Sequence, residues 1–421
     1  CDARGFHAAE LRQDTDEASY MELDRSRPLT FEEIKSDLVL SNGARFYNDH
    51  AHPEYSTPEC STLRELLVHD KAGERILWEC ARRRNSRLRD GRQVRLYKNN
   101  TDFIGHSFGC HDNYLMSREV PWEQIVMAMV PFLVTRQIFA GAGKLGIEKE
   151  GSVLRPGVFQ ISQRSDFFSV LVSIDTMNRR PIINTRDEPH ADARRYRRFH
   201  CIVGDANLSE VATALKVGTT ALVLELLERG HAPQLELENP IEATRSISRD
   251  PSWEWPVKLS DGKTLSAIEI QRLYLEAARD YCDVTDPETA WVLGEWESVL
   301  NDLQVDPMRC SDRLDWVAKR LLLEAFRESE NLEWDYPWLQ SIDLEYHNID
   351  PDAGLYHGLA NACSMRTLVT EEEIDAAIFQ PPVSTRAFFR GRAVARFASQ
   401  IASLQWDEVV FRTAAGLQPV A

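Results

Sequence analysis

The stretch from Asn42 to Glu59, NGARFYNDHAHPEYSTPE, gathers residue types that could bind a cation and move a proton. Arg45, Tyr47 and Asp49 occupy alternate positions, so in a β-strand their side chains would share one face. Phe46 would then point to the other face, toward a core. The segment therefore predicts a strand with one polar, chemically active face.

Two interpretations of this polar face remain open. Burying a guanidinium, a phenol and a carboxylate is costly unless each finds a partner, and a nucleotide phosphate with a metal ion would supply such partners. A solvated edge strand would need none. The apolar residues 38–40, followed by Asn42 and Gly43, predict a strand and a turn that lead into this face.

A second dense patch lies at residues 180–207. Ile182 and Ile183 run directly into a charged cluster that includes Arg186 and His190, so a strand would deliver that cluster. The arginines within 194–198 are either a solvated or salt-bridged face, or a basic surface that contacts phosphate or an acidic partner.

The histidines offer a metal site only if distant segments meet. His111 and His190, with Glu54 and Tyr47, could bind a divalent metal, but no local spacing such as H-E-x-x-H connects them. Oxygen ligands favour magnesium bound with nucleotide phosphates. Asp49 beside them could act as a base or a nucleophile, or simply accept backbone hydrogen bonds. We expect the segments around positions 49, 111 and 190 to converge.

Composition excludes several classes of protein. The 421 residues carry a net charge of −17, which argues against general nucleic-acid binding because that requires a basic surface. No apolar run approaches the ~18 residues of a membrane span. The eight cysteines are scattered and show no C-x-x-C pair, which is typical of free thiols in a reducing cytoplasm.

The coarse pattern of elements is mixed. Apolar spacing and caps predict helices at 61–85, at 121–139 with a break or kink at Pro131, and at 209–229, and they predict strands at 94–102 and in 158–175. The sequence GAGK at 141–144 lacks Walker spacing and predicts a turn or strand entry. We expect a main domain at 1–345, in which 1–37 form a long mobile loop, and a small domain at 346–421.

Several long motifs resemble the actinobacterial Pup ligase and Pup deamidase/depupylase family, which is related to glutamine synthetase. They are NGARFYNDHAHPEY, YKNNTD, GCHDNYLMSR, PFLVTRQ, QRSD, PIINTRDEPHADARRYRRFH, GDANLSE and KVGTTALVLELLE. The resemblance covers nearly the whole chain. It implies an α+β fold with a curved, mostly antiparallel sheet forming a cradle, helices on its convex side and a small C-terminal domain.

The resemblance also implies roles for individual residues. It implies binding of ATP (or ADP plus phosphate) and Mg²⁺, and Pup and pupylated proteins as partners. The implied catalytic residue is Asp49. The implied metal ligands are Tyr47, Glu54, His111 and His190, the nucleotide contacts are Arg45, Thr57, Arg186, Arg390 and Trp406, and the substrate contacts are Asn100 and Arg164.

Within the family, DARGF at 2–6, DHAHPEY at 49–55 and GLYHGLANACSM at 354–365 resemble the deamidase/depupylase branch. That branch hydrolyses the C-terminal glutamine amide of Pup and the isopeptide bond to substrate lysines. The Pup–protein ligase and a non-catalytic Pup-binding homologue remain alternatives. The family's initial Gly-x-Glu-x-Glu metal-binding strand has no counterpart here, so we expect either an incomplete sequence or a defective metal site, and favour the former.

Overall fold

The computed structural model describes residues 8–10, for the backbone only, and 38–49, 52–89, 91–149, 152–176, 179–188 and 190–420. Its class is α+β, as predicted. Its strands form several small sheets, and among the described residues every strand pairing is antiparallel except one. The chain divides into two compact units, residues 1–94 with 369–421 and residues 95–368. The boundaries of these units, at 94 and 368, differ from the domain boundary expected at 345. The assignment of a catalytic and a C-terminal domain stays a prediction.

The first unit is built on a four-stranded antiparallel sheet. Its strands, in spatial order, are β1 (Ala8–Glu10), β2 (Leu38–Leu40), β3 (Arg45–Asp49) and β4 (His52–Ser56). The loop expected at 1–37 therefore contains a short strand, and the rest of that prediction falls outside the described residues. Gly43, in the predicted turn between β2 and β3, has φ +83°, which only glycine adopts easily.

Helices of both chain segments cover the first unit. They are α1 (Leu63–Asn85), α11 (Glu371–Ala377) and α12 (Ala387–Phe397), and a C-terminal sheet follows with β13 (Ile401–Leu404), β14 (Val409–Thr413) and β15 (Gly416–Val420). Thr62 caps the predicted helix α1 by accepting a hydrogen bond from the Glu65 backbone. Phe46 packs with Leu40 and Ile76 in one apolar core, which confirms the inward direction predicted for it.

The second unit contains the sheet β5 (Asp112–Ser117), β10 (Tyr196–Cys201), β9 (Arg180–Asn184) and β8 (Phe168–Ser173), in that order. Strands β8 and β9 are the parallel pair. Helix α2 (Trp122–Thr135) packs on β9, and α4 (Glu210–Glu228) packs on β5. Phe199 of β10 is buried, and by strand alternation Arg198 and His200 point to the opposite face.

Further elements complete this unit. The short helix α3 (Gln137–Ala140) precedes the hairpin β6 (Lys144–Lys149) and β7 (Ser152–Gln160). Beyond α4 lie α5 (Pro240–Arg249), the hairpin β11 (Pro256–Lys258) and β12 (Thr264–Ser266), α6 (Ala267–Tyr281), α7 (Pro287–Val305), α8 (Asp315–Ser329), α9 (Pro337–Tyr346) and α10 (Leu355–Asn361). Within the described part of the chain, none of these helices combines the length and apolar character of a bilayer span.

One predicted helix break and one predicted strand are not found. Helix α2 continues through Pro131 and ends at Thr135, so the chain is not broken at the proline, and the alternative of a kink there stays a prediction. The proline has no amide hydrogen, so the Met127 carbonyl loses its helical partner. The strand predicted at 94–102 forms only isolated bridges, because its backbone amides bond to side chains such as Asn85 and Gln163.

The sequence GAGK is a strand entry, as predicted. Gly143 has φ +69°, and a Cβ there would lie 3.1 Å from the Trp316 Cα. Lys144 begins β6 and is fully buried, with its Nζ 2.7 Å from both a Glu148 and an Asp166 carboxylate oxygen. This lysine is paired with two buried carboxylates and is not available to a phosphate.

Helix α4 depends on a buried cap. The Ser209 hydroxyl accepts a hydrogen bond from the Ala212 amide 3.2 Å away and donates one to the Arg313 carbonyl. We expect Ser209→Ala to lower the free energy of unfolding of this unit by about 2 kcal/mol, because it removes the cap and also leaves a buried carbonyl unpaired.

The matched control for this prediction is Ser266→Ala, which removes the exposed cap of α6. We expect the control to cost about 1 kcal/mol at most. Hydrogen exchange of the α4 amides in both variants measures the difference, and equal losses of protection would contradict a special role for the buried cap.

Candidate active site

The hairpin of β3 and β4 carries the polar face that the alternation predicted. Tyr47 lies opposite Glu54, Asp49 opposite His52, and Arg45 opposite Ser56. Residues directly opposite each other in an antiparallel pair have side chains on the same side of the sheet. One face of the hairpin therefore carries a guanidinium, a phenol and two carboxylates.

The centre of this face is the pair of Tyr47 and Glu54. The Tyr47 hydroxyl donates a short hydrogen bond to a carboxylate oxygen of Glu54. The pKa of Glu54 is raised to about 7: burial is the main cause, the hydrogen bond from Tyr47 and the charge of Arg45 oppose it, and the negative charge of Asp49 adds to it. Burial and the Glu54 charge raise the pKa of Tyr47 well above its ordinary value. The Asp49 carboxylate therefore lies close enough to disfavour a negative charge on Glu54.

The donor set of this face fits part of a magnesium shell. A phenol oxygen and a carboxylate oxygen meet here, and Mg²⁺ prefers oxygen ligands. No cluster of three or more His, Cys, Asp or Glu side chains suited to a metal occurs among the described residues. One phenol and one carboxylate suit an ion such as Mg²⁺, which keeps several waters and shares phosphate oxygens.

A second network in the same unit surrounds Arg390 of α12. Its Nη1 donates to Glu59 Oε1 over 3.1 Å and to the Trp406 carbonyl over 3.0 Å, and its Nη2 donates to Glu59 Oε2 over 2.5 Å. The Gly43 carbonyl accepts from Nε and Nη2 at 3.2 and 2.8 Å. The guanidinium carbon lies 4.9 Å from the centre of the Trp406 ring. Arg390 thus connects the β2–β3 turn to the C-terminal tryptophan.

The charge of Arg390 is neutralised by Glu59, which sequence reasoning missed. Glu59 also accepts from Arg386 Nε at 2.7 Å. These two arginines hold the pKa of the Glu59 carboxyl below its ordinary value, although its burial acts in the opposite direction. Glu59 follows Pro58 outside any strand, so no periodicity marked it. The predicted nucleotide contact Thr57 is half-buried two residues before it.

In the second unit, His111 immediately precedes β5 and lies against His200 of β10. Their ring centres are 5.0 Å apart, with His200 Nε2 3.4 Å from His111 Nδ1. Burial, and then the charges of Arg198, Arg186 and Arg164, together lower the pKa of His200 to about 3. His111 is exposed as a residue, but protein packed around its ring limits solvation and lowers its pKa, and nearby charges, Arg164 first, also lower it.

His200 was also missed by the sequence analysis. It stands two positions after Arg198 in the strand YRRFHC, so the same alternation that placed Tyr47 beside Arg45 could have placed it on the polar face.

The predicted phosphate contact Arg186 belongs to a short ionic chain. Arg186 Nε lies 3.3 Å from Glu188 Oε2, which also accepts from Arg198 Nη2 at 2.8 Å. His190, the other predicted metal ligand, is half-buried and has φ +49°, a conformation rare outside glycine. Arg194 pairs with Asp192, so ion pairs account for part of the arginine run, as one of the two interpretations predicted.

The predicted substrate contacts are both buried and bonded to the backbone. The Asn100 side chain donates to the Phe108 carbonyl over 3.1 Å and accepts from the Ala206 amide at 2.6 Å. Arg164 donates to the Ile202 carbonyl and stacks 5.4 Å from the Phe168 ring. Arg164 lies close enough to His111 for its charge to lower the pKa of that histidine, and the contact of Asn100 and Arg164 with substrate stays a prediction.

The predicted site residues are thus divided between the two units. The first unit contains Arg45, Tyr47, Asp49, Glu54, Thr57, Arg390 and Trp406, and the second contains Asn100, His111, Arg164, Arg186 and His190. The first group combines oxygen ligands with a carboxylate that could act on a carbonyl. The second contains two arginines, which suit an anion, and His111, whose pKa is lowered.

Comparison with known proteins points to one family. Residues 1–410 match the family described as Pup-ligase protein. The chain is 48% identical over 417 residues to a depupylase of Acidothermus cellulolyticus, covering 97% of this chain and 80% of that one. It is 48% identical over 383 residues to a Pup deamidase/depupylase of Mycobacterium tuberculosis, covering 89% and 75%.

A solved structure shares the fold. The Pup ligase PafA in complex with ADP superposes with a TM-score of 0.84 at 36% identity, and the match covers 97% of this chain and 91% of the ligase. A family match over nearly the full length, two relatives at 48% identity and this shared fold lead to one conclusion: the chain belongs to the Pup-ligase family.

Proposed function

We propose that this protein is an ATP- and Mg²⁺-dependent Pup deamidase and depupylase. The observation that carries the proposal is the β3–β4 face, where Asp49 stands beside the Tyr47–Glu54 pair in a chain 48% identical to a depupylase over almost its whole length. Water would hydrolyse the terminal glutamine amide of Pup, releasing ammonia, and the isopeptide bond, releasing the substrate lysine.

Tyr47 and Glu54 are the proposed magnesium ligands of the first unit, and His111 and His190 are the proposed histidines of the metal and phosphate site. Magnesium, when bound, would offset negative charge on phosphate and on the attacked carbonyl. The pKa of Glu54, raised by burial and by Asp49, supports this assignment, because a cation would relieve the unfavourable charge on these carboxylates.

Arg45 and Arg186 are the proposed phosphate contacts, and Trp406 is the proposed contact of the nucleotide base. The low pKa of His200, to which burial and three arginines contribute, supports an anion site in the second unit. The solved PafA structure contains ADP, which supports a nucleotide in this fold. Asn100 and Arg164 are the proposed residues beside the Pup substrate.

Asp49 has two possible actions. As a base it takes a proton from water, which attacks the side-chain carbonyl while the amine leaves with a proton. As a nucleophile its carboxylate attacks the carbonyl, the amine leaves, and water then cleaves the resulting anhydride. Both routes consume one water and return Asp49 to its starting form, so the nucleotide need not be hydrolysed.

The free thiols of the described cysteines support a reducing compartment, and we propose a cytoplasmic location on that ground.

The second candidate function is Pup ligation, which the shared fold with PafA favours. With Pup ending in glutamine, a deamidase releases ammonia without stoichiometric ATP hydrolysis. A ligase instead consumes one ATP for each conjugate formed with Pup ending in glutamate.

Asp49→Asn should lower the rate of ammonia release by about 10²- to 10⁴-fold, because it removes the group that activates water or attacks the carbonyl. Single-turnover assays with saturating ATP and Mg²⁺ measure this loss. The control Asp375→Asn changes an exposed carboxylate of α11 in the same unit and should leave the rate unchanged. Full activity in Asp49→Asn would refute both proposed actions.

Glu54→Gln should raise the Mg²⁺ concentration for half-maximal activity at least about tenfold, since an amide is a weaker ligand than a carboxylate. Magnesium titrations at fixed ATP measure the shift. Glu372→Gln, which changes an exposed carboxylate of the same unit, is the control. An unchanged magnesium dependence in Glu54→Gln would remove Glu54 from the metal shell.

A further inference from the structure

All N–H groups of Arg390 are engaged by the protein itself. A guanidinium has five N–H donors and no acceptor. The structure shows five hydrogen bonds, two to the Gly43 carbonyl, two to the Glu59 carboxylate and one to the Trp406 carbonyl, at 2.5–3.2 Å. The residue is 1% exposed. A ligand would have to displace one of these bonds in order to gain a hydrogen bond from Arg390.

The charge of Arg390 is also neutralised. Both oxygens of Glu59 contact its terminal nitrogens, in the bidentate geometry that gives carboxylate–arginine pairs their directional strength. The pKa of Glu59 lies below its ordinary value because Arg390 and Arg386 stabilise its charged form against the cost of burial. A phosphate would therefore meet an Arg390 guanidinium that is already paired with a carboxylate.

Within this pair, Arg390 contacts Trp406. The indole ring lies over the Arg390 guanidinium at 4.9 Å, and the backbone carbonyl of Trp406 accepts from Nη1. Trp406 lies between β13 and β14, outside any helix or strand. A ring on such a segment needs a fixed neighbour if it is to present one face to a flat ligand, and the guanidinium plane is that neighbour.

We propose that Glu59 and Arg390 are positioning residues, which fix the Trp406 ring for the nucleotide base and do not contact the nucleotide phosphates. This proposal rests on the proposed function, in which Trp406 packs against the base. Glu59 holds the plane of the Arg390 guanidinium, and the Gly43 carbonyl holds its position. The guanidinium then orients the indole.

The experiment compares two ligands that differ only in whether they carry a nucleoside. Equilibrium binding of ATP and of inorganic tripolyphosphate, both with Mg²⁺, is measured for the wild type, Glu59→Gln, Trp406→Ala and the double variant. Stacking of a base on an aromatic side chain contributes enough that Trp406→Ala should weaken ATP binding about tenfold. Glu59→Gln should weaken it about fivefold, because the amide NH₂ group replaces an acceptor of Arg390.

Three outcomes support the proposal together. Tripolyphosphate affinity stays unchanged in Glu59→Gln, ATP affinity falls, and Glu59→Gln adds no further loss in the Trp406→Ala background, since coupled residues are not additive. The control Glu373→Gln breaks the exposed ion pair with Arg64 in the same unit and should change neither affinity.

Other outcomes overturn the proposal. A parallel loss of tripolyphosphate binding in Glu59→Gln would show that the pair acts on phosphates, and an unchanged ATP affinity would show that it positions nothing. If the wild type binds no ATP, the proposed function fails first. A fluorine label on Trp406 then still tests the positioning, because Glu59→Gln should shift and broaden its ¹⁹F resonance without nucleotide, and an unchanged resonance would refute it.

Discussion

The structure depends on the rule that a buried charge must be surrounded by partners. Removing one member of a buried ion pair costs about 3–5 kcal/mol, which is a large share of the stability of a typical domain. Each unit satisfies the rule around a buried cation. Arg390 meets Glu59 and two carbonyls in the first unit. Lys319 meets Asp343 at 2.6 Å and the Gly143 carbonyl in the second.

This rule separates charges that hold the fold from charges that a ligand can use. In the Lys319–Asp343 pair burial lowers the pKa of Lys319 and raises that of Asp343, but each charge has its opposite within hydrogen-bond distance. On the β3–β4 face, by contrast, the pKa of Glu54 rises because burial and a second carboxylate disfavour its charge. Beside β10, the pKa of His200 falls because burial and several arginines disfavour a further cation. A bound cation would relieve the unfavourable negative charge on the β3–β4 face. A bound anion would relieve the unfavourable positive charge around His200.

Sequence reasoning found the elements whose signal is local. Strand alternation predicted the polar face of β3 and the inward direction of Phe46, and the apolar pattern with Ser209 as cap predicted α4. It failed where a distant group decides. Residues 94–102 form no regular strand, since their backbone amides are taken by partners such as the Gln163 side chain and the His347 carbonyl. No pattern within nine residues could show that.

The same limit explains which site residues were missed. Glu59 matters because Arg390, 331 positions away, folds onto it, and nothing near Glu59 in the sequence announces such a partner. Family resemblance implied that Arg390 contacts the nucleotide, but the sequence around it did not show which protein groups its donors would bind. A guanidinium has only five N–H donors. When all five are engaged by the protein, the side chain can shape a site, yet it offers a ligand no further hydrogen bond. A side chain's role therefore follows from what its neighbours leave unsatisfied as much as from where it lies.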